Sequence, residues 1–491
     1  MQLLIKIYSW KQYRYESVAL VVGAVILILE LVGARMVAPR FGASIYIWTA
    51  VIGVILAALS AGYWYGGRLA DRGATDRGLA LILTQAAAVL FVCLLLREPI
   101  FAVAEGMPGG LRAQAFTVAL LLFAPVNFLM GTISPYLAKL KLSSLKTAGR
   151  SIGGLYAAGT TGSILGTFLA GYWLIAAFGN RSVGWALVIA LLATSFLAEA
   201  RTLIWQRLAI GVIMLAAAIA TGGQAKEGVV YQSDGLYATY QVIDGSLDGR
   251  PARFLSSDAP GLQSGIYLDG KGGTPFRYIE AFTAVAAGRP AAADALLIGG
   301  GAYILPPLLT AQNAGLQVTV VEIEPQLDDI AARYFGFKPQ RRISIIHADG
   351  RAFLNANRSA YDLIFVDAFT GLSPPFQLTT SEAVARLRAA LKPDGLVAAN
   401  IIGAAEGSRN GFLRAEAATY ARHFPALAVA RLRPELPPGE RQNVLLLASG
   451  SDAALKSALQ ELNYPLLPLD FASVQPLSDD YAPVERLTGE R

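Results

Sequence analysis

One cysteine, Cys93, occurs in 491 residues, and it lies inside an apolar run. Neither a disulfide framework nor a cysteine-based metal site can be built from it. Histidine is nearly as scarce, with only His347 and His423. A His-rich zinc site or a serine-hydrolase triad would have to be assembled from these two, which disfavours both chemistries. Acids are scarce in one half: residues 1–225 hold 7 Asp+Glu against 17 Lys+Arg, a balance of +10, whereas residues 226–491 hold 28 against 24, a balance of −4. The overall charge of +6 therefore belongs to the N-terminal half, where the apolar runs also lie. Its basicity reads as loops flanking membrane spans rather than as a nucleic-acid footprint, and no nucleic-acid partner is expected.

What that half has in abundance is apolar length. Crossing a hydrocarbon layer of roughly 30 Å takes about 20 residues. Candidate runs fall near 17–38, 45–66, 79–96, 114–138, 152–178, 182–198 and 203–221, so seven spans are expected and the lipid bilayer is a partner. With the N-terminus inside, the inner segments hold 12 Lys and Arg, from Lys6 to Arg207, and the outer loops hold 5: Arg35, Arg40, Arg97, Arg112 and Arg181. The excess of inner cations makes the expectation a multi-pass protein of the cell membrane with a cytoplasmic N-terminus. The side holding the C-terminal half stays open. In the fifth run Ala158, Gly162, Gly166 and Ala170 recur every four residues, a smooth face that another helix backbone can approach. Glu30 and Arg35 lie in or at the end of the first run, where an ionisable group is costly unless paired or hydrated.

The second half changes pattern. Residues 229–270 are aromatic and β-branched with Asp-Gly turns, predicting a small antiparallel sheet over a domain of 226–275. From 276 to 491 strands alternate with helical stretches, predicting a doubly wound, Rossmann-like α/β domain with a parallel sheet. The strand candidates are Ala295–Ile298, Gln317–Ile323, Ile343–His347, Tyr361–Asp367, Leu396–Ile401, Leu427–Leu432 and Asn443–Ala448, the last two placed to close the sheet as a hairpin. The whole chain thus reads as a multi-span α-helical bundle, a small β domain and an α/β domain.

The first α/β strand runs into Gly299-Gly300-Gly301, and the second ends at Glu322, 21 residues after Gly301. A glycine turn lets a nucleotide approach the backbone, and an acid about 20 residues on can accept both ribose hydroxyls. The pyrophosphate pattern is incomplete, since Ala302, Tyr303 and Ile304 follow, so an adenosyl ligand without phosphate fits better than a dinucleotide. Asp349 and Asp367 close the third and fourth strands. Any one such acid could be a helix cap. Three on consecutive strand ends argue for a shared nucleotide site.

These segments resemble the successive motifs of spermidine synthases: Leu297-Ile298-Gly299-Gly300-Gly301, Val321-Glu322-Ile323-Glu324, His347-Ala348-Asp349-Gly350-Arg351, Tyr361 to Asp367, and Phe276-Arg277-Tyr278-Ile279-Glu280 ahead of the glycine turn. The helical half, with Ala38-Pro39-Arg40-Phe41-Gly42 and Gly162 to Thr167, resembles the multi-span region fused to spermidine-synthase-like domains in many bacterial proteins. The resemblance implies a transferase whose co-substrate is decarboxylated S-adenosylmethionine or S-adenosylmethionine, with no prosthetic group, no metal and a small-molecule amine as partner. It implies that Gly299, Gly300, Gly301, Glu322, Asp349 and Gly350 bind the adenosyl donor, with Glu322 on the ribose and Asp349 on the adenine amino group. It places Asp367 at the amine as catalytic base, with Tyr278, Gln263 and Thr370 also at the amine.

Three positions depart from the family pattern: Ala302 replaces an aspartate that reads the donor's ammonium, Thr370 replaces a second acid after Asp367, and Thr274-Pro275 replaces an acidic pair. Aminopropyl transfer to a diamine or polyamine is the leading expectation. Methyl or aminocarboxypropyl transfer from S-adenosylmethionine, and a non-catalytic membrane-attached polyamine or nucleotide sensor, stay open beside it. So does assembly into a homo-oligomer. The run Ser478-Asp479-Asp480-Tyr481-Ala482-Pro483 is expected as a solvated tail with a turn, the alternative being that it folds over the pocket and restores negative charge.

Overall fold

A computed structural model describes residues 2–41, 45–142, 144–200, 204–222, 228–257, 261–357, 360–369 and 374–488. They fall into two compact units, one holding the helical half with Asp234–Leu236, the other holding residues 228–233 and those from Tyr237 onward. The expected boundary at 225/226 lies outside the described residues.

The helical unit contains α1 (Gln2–Phe41), α2 (Ile45–Asp71), α3 (Asp76–Leu95), α4 (Arg97–Glu105), α5 (Gly110–Leu122), α6 (Ala124–Lys141), α7 (Ala148–Leu169), α8 (Ile175–Ala198) and α9 (Ile204–Gly222). Among the described residues four stretches are long and apolar enough to cross a membrane singly: Tyr13–Phe41, Ile45–Asp71, Asp76–Leu95 and Ala177–Ala198. A fifth appears if α5 and α6, bent by 51° at their junction, count as one. This is fewer than the seven expected from apolar runs, for local reasons. The run at 114–138 breaks because Pro125 has no N–H for the carbonyl four residues back; that carbonyl, on Leu121, receives the Cys93 thiol at 3.8 Å instead. In α7 six glycines with Thr160, Thr161, Ser163 and Thr167 dilute the apolar content. In α9 (Ile204–Gly222) only the apolar stretch Ile204–Met214 lies wholly within the described residues, so the span expected at 203–221 lies partly outside them. The outward faces of the helices carry exposed Leu56, Trp64, Phe116 and Ile189, so these helices are apolar on both sides, as a lipid environment allows.

Small residues set how closely the helices pack. A Cβ at Gly162 would lie 1.8 Å from the Leu20 carbonyl oxygen, and one at Gly166 would lie 2.7 Å from that of Ala24. The four-residue repeat is therefore the seam between α7 and α1, reinforced by Ser163 Oγ donating to the Gly23 carbonyl at 3.1 Å. Gly62, Gly66 and Gly131 do the same between α2 and α6.

In the other unit β1 (Val229–Asp234), β2 (Thr239–Leu247), β3 (Arg250–Ser257) and β4 (Ser264–Tyr267) form a four-stranded sheet in that order. A second sheet joins β5 (Asp294–Ile298), β6 (Gln317–Glu322), β7 (Ile343–His347), β8 (Tyr361–Val366), β9 (Leu391–Gly403), β10 (Ala426–Arg431) and β11 (Gln442–Ser449), in the order β10-β11-β9-β8-β5-β6-β7. The strands β7, β6, β5, β8 and β9 are parallel, and β10–β11 is the expected antiparallel hairpin, β11 pairing with β9. Eight helices follow the strands or precede the sheet: α10 (Arg277–Ala287), α11 (Leu305–Gln312), α12 (Leu327–Tyr334), α13 (Gly350–Ala356), α14 (Ser381–Ala390), α15 (Gly411–Ala421), α16 (Asp452–Gln460) and α17 (Val484–Leu487). Alternate strand residues feed two cores: Leu297, Val320 and Phe365 pack on one face, Ile298, Val321 and Ile364 on the other. Both faces are covered, as a parallel sheet requires. The chain reverses direction of strand addition between β5 and β8, which opens the crevice where such sheets bind ligands.

Candidate functional site

The crevice holds a cavity of about 410 Å³. Gly299 and Gly301 take φ of +95° and +52°, and a Cβ on Gly299 would stand 2.3 Å from the Asp367 carbonyl oxygen, so only glycine closes this turn. The next residue but one, Tyr303, also has positive φ, +51°. Its ring packs under Gly300, and its hydroxyl donates to Asp328 Oδ1 at 2.8 Å; this prop beneath the turn had no sequence signature beyond a large residue after three glycines.

Glu322 is buried at the tip of β6. Its Oε2 accepts from the Gly300 N–H at 2.6 Å and its Oε1 from the Glu324 N–H at 2.9 Å. Burial raises its pKa above the usual carboxylate value, and the backbone N–H groups around it oppose that rise. Each carboxylate oxygen has a second lone pair, so a ribose hydroxyl can still be accepted. Asp349 caps α13, its Oδ1 accepting from the Ala352 N–H at 2.9 Å; it is a helix cap and a cavity residue at once. Gly350 follows because a Cβ there would meet the Ile298 side chain at 2.8 Å.

Asp367 stands just beyond β8. Its Oδ1 accepts from Asn400 Nδ2 at 2.8 Å, and Asn400 Oδ1 in turn accepts from Asn443 Nδ2 at 2.9 Å. Burial pushes the Asp367 pKa up to about 6, against the hydrogen bond from Asn400 and the polar Tyr278 hydroxyl nearby, with a further push from the Glu322 charge. The Tyr278 hydroxyl donates to the Gln263 carbonyl at 2.9 Å, and burial beside Asp367 raises its own pKa. The cavity thus brings together Gly299, Gly300, Gly301, Glu322, Asp349, Gly350, Asp367, Tyr278 and Gln263. Thr370 lies outside the described residues.

The residues that sequence reasoning missed are Asn400, Asn443 and Tyr240, all on the cavity wall. Asn400 had a signal: it is the one polar side chain in Leu396-Val397-Ala398-Ala399-Asn400-Ile401-Ile402. Ala302 is buried and outside the wall. The Asp479 run neither floats nor covers the cavity. Asp479 is held by Arg351 at 2.7 Å and by the Thr380 hydroxyl at 2.6 Å, which ties the C-terminal segment to α13 and α14.

The fold is an α/β unit of class I methyltransferase type, with an acid-lined cavity at the crevice of its sheet. No family model matches the chain. It is 35% identical over 156 residues to a probable polyamine aminopropyl transferase of Bifidobacterium longum, covering 30% of this chain and 33% of that protein. With the polyamine aminopropyltransferase of Vibrio vulnificus it shares 26% identity over 237 residues, 48% of this chain and 76% of the relative. An N-terminal histidine N-methyltransferase of Emericella nidulans is 39% identical over 118 residues, 23% of this chain and 20% of that protein. The chain spans about a fifth and a third of the two more identical relatives' lengths. The chain is thus similar to polyamine aminopropyltransferases and, over part of the same similarity, to methyltransferases.

Proposed function

We propose that this protein transfers an aminopropyl group from decarboxylated S-adenosylmethionine to a small amine and releases methylthioadenosine. One observation carries the reading: among the described residues the cavity wall holds three carboxylates, on Glu322, Asp349 and Asp367, and no Lys, Arg or His. Such a wall suits a donor whose sulfonium and ammonium are both positive better than one that adds a carboxylate. In this scheme Glu322 holds the ribose, Asp349 the adenine amino group, and the Gly299–Gly301 turn with Gly350 lets the adenosyl group approach the backbone. Tyr278 and Gln263 line the amine end. Asp367 takes a proton from the acceptor ammonium; the neutral nitrogen then attacks the methylene carbon bound to sulfur, and the C–S electron pair leaves on methylthioadenosine. A proton acceptor titrating near 6 is charged at neutral pH yet close enough in affinity to exchange protons. Holding donor and nucleophile in line supplies the rest, on the order of 7–11 kcal/mol.

The similarity to a histidine N-methyltransferase supports a second reading, methyl transfer from S-adenosylmethionine. Incubating the purified protein with each donor and a panel of amines separates the two. Methylthioadenosine supports the first, S-adenosylhomocysteine the second, and donor binding without either product a sensor. The helical unit would hold this activity at a cell membrane as a multi-pass anchor with a cytoplasmic N-terminus, and the unit from residue 226 onward would fold as a domain of its own.

A further inference from the structure

Two amide side chains on the cavity wall have no part in the scheme above. In the β11–β9 ladder Asn443 pairs with Ile402 and Leu445 with Asn400. Asn400 and Asn443 are therefore diagonal neighbours on one sheet face, close enough for long side chains to touch. The direction of their hydrogen bonds is set at one end. An ionised carboxylate only accepts, so Asn400 must turn its Nδ2 to Asp367, which turns its Oδ1 to Asn443, which must then offer Nδ2. Asn443 is left with its own Oδ1 as an acceptor at the cavity wall. Asn400 is 7% exposed, so its amide is committed to this chain and shielded from exchange with water.

We propose that Asn443 and Asn400 form a one-way relay that fixes which oxygen of Asp367 faces the substrate and adds a neutral acceptor, Asn443 Oδ1, for the same ammonium group. Asn400 is a positioning residue and Asn443 a specificity-determining one; the assignment of the ammonium rests on the transferase reading, whereas the orientation of Asp367 does not. The titratable groups facing Asp367 are Tyr278 from α10 and Glu322 from β6, with Asp349 on the same wall. Of the groups around the carboxylate, Asn400 and Tyr278 favour its charged form and Glu322 opposes it.

The test uses the full-length protein. Asn400→Leu keeps the volume but removes the donor, so the acidic limb of kcat/KM should move to higher pH by about one to two units. Asn443→Ala should raise KM for the amine by about tenfold while leaving donor affinity unchanged, and Asn443→Gln should restore part of the loss. A readout free of substrate is the pH dependence of thermal unfolding between pH 4 and 7. Relative to Asp367→Asn, the wild type should lose stability as pH rises through this window, and Asn400→Leu should extend that loss upward. Loss of activity and Tm by Asn400→Leu equally at every pH, with no shift of either profile, overturns the relay. An unchanged amine KM in Asn443→Ala overturns its specificity role. A wild type that releases no methylthioadenosine, together with an Asn400→Leu variant that still shifts the unfolding profile, refutes the transferase reading and leaves the relay standing.

Discussion

The two halves of this chain solve opposite packing problems. In the helical unit backbones touch through missing side chains, as where Gly162 meets Leu20 and Gly66 meets Thr132. In the α/β unit the missing side chains at Gly299 and Gly350 make room in a turn and under a helix, beside a cavity lined by acids at strand ends. At Gly162 and Gly66 a glycine is a contact between helices; at Gly299 and Gly350 it borders the cavity. The difference predicts that damage in one half should be read in stability and damage in the other in ligand handling.

Substitutions should separate the two, the largest effect coming from Asp367→Asn. It keeps the shape and removes the proton acceptor, so methylthioadenosine release should fall 10²–10⁴-fold with donor affinity by calorimetry nearly intact. Next is Gly162→Leu, whose side chain has no room against α1; overpacking of this kind costs typically 1–3 kcal/mol. Detergent-solubilised protein should lose thermal stability while a fragment beginning at residue 226 stays soluble and folded. Insolubility of that fragment would place the boundary elsewhere. Glu322→Ala should weaken donor binding by about 1–3 kcal/mol, as for hydrogen bonds to a charged group, with the helical unit untouched. The remaining effect is in pH. Because the Asp367 pKa is raised to about 6 from an unfolded value near 3.9, its contribution to stability is full below about pH 4 and is lost as pH rises through 6. Over the same range turnover should rise with pH, about tenfold per unit below 6. Activity and stability should run in opposite directions there, and parallel curves would remove Asp367 from the role.

Much of this was legible in the sequence because it rests on short-range patterns. Seven strands, their closing hairpin, the glycine turn and the three strand-end acids follow from alternation and spacing. The helix seam follows from a four-residue repeat of small residues. What escaped depends on neighbours distant in the chain. Asn443 matters because β11 inserts beside β9, and Tyr303 because Asp328 comes round on α12 to receive its hydroxyl. The span count depends on chain breaks: an apolar run does not reveal that Pro125 bends α5 against α6.

That bend gives the protein a built-in reporter. Cys93 is 7% exposed, with its sulfur turned to the carbonyl left vacant by Pro125. As the single thiol in the chain, it makes any uptake of an alkylating reagent a count of how often the helices part at that bend. The rate of labelling, followed in detergent and in vesicles, would measure local opening of the bundle directly.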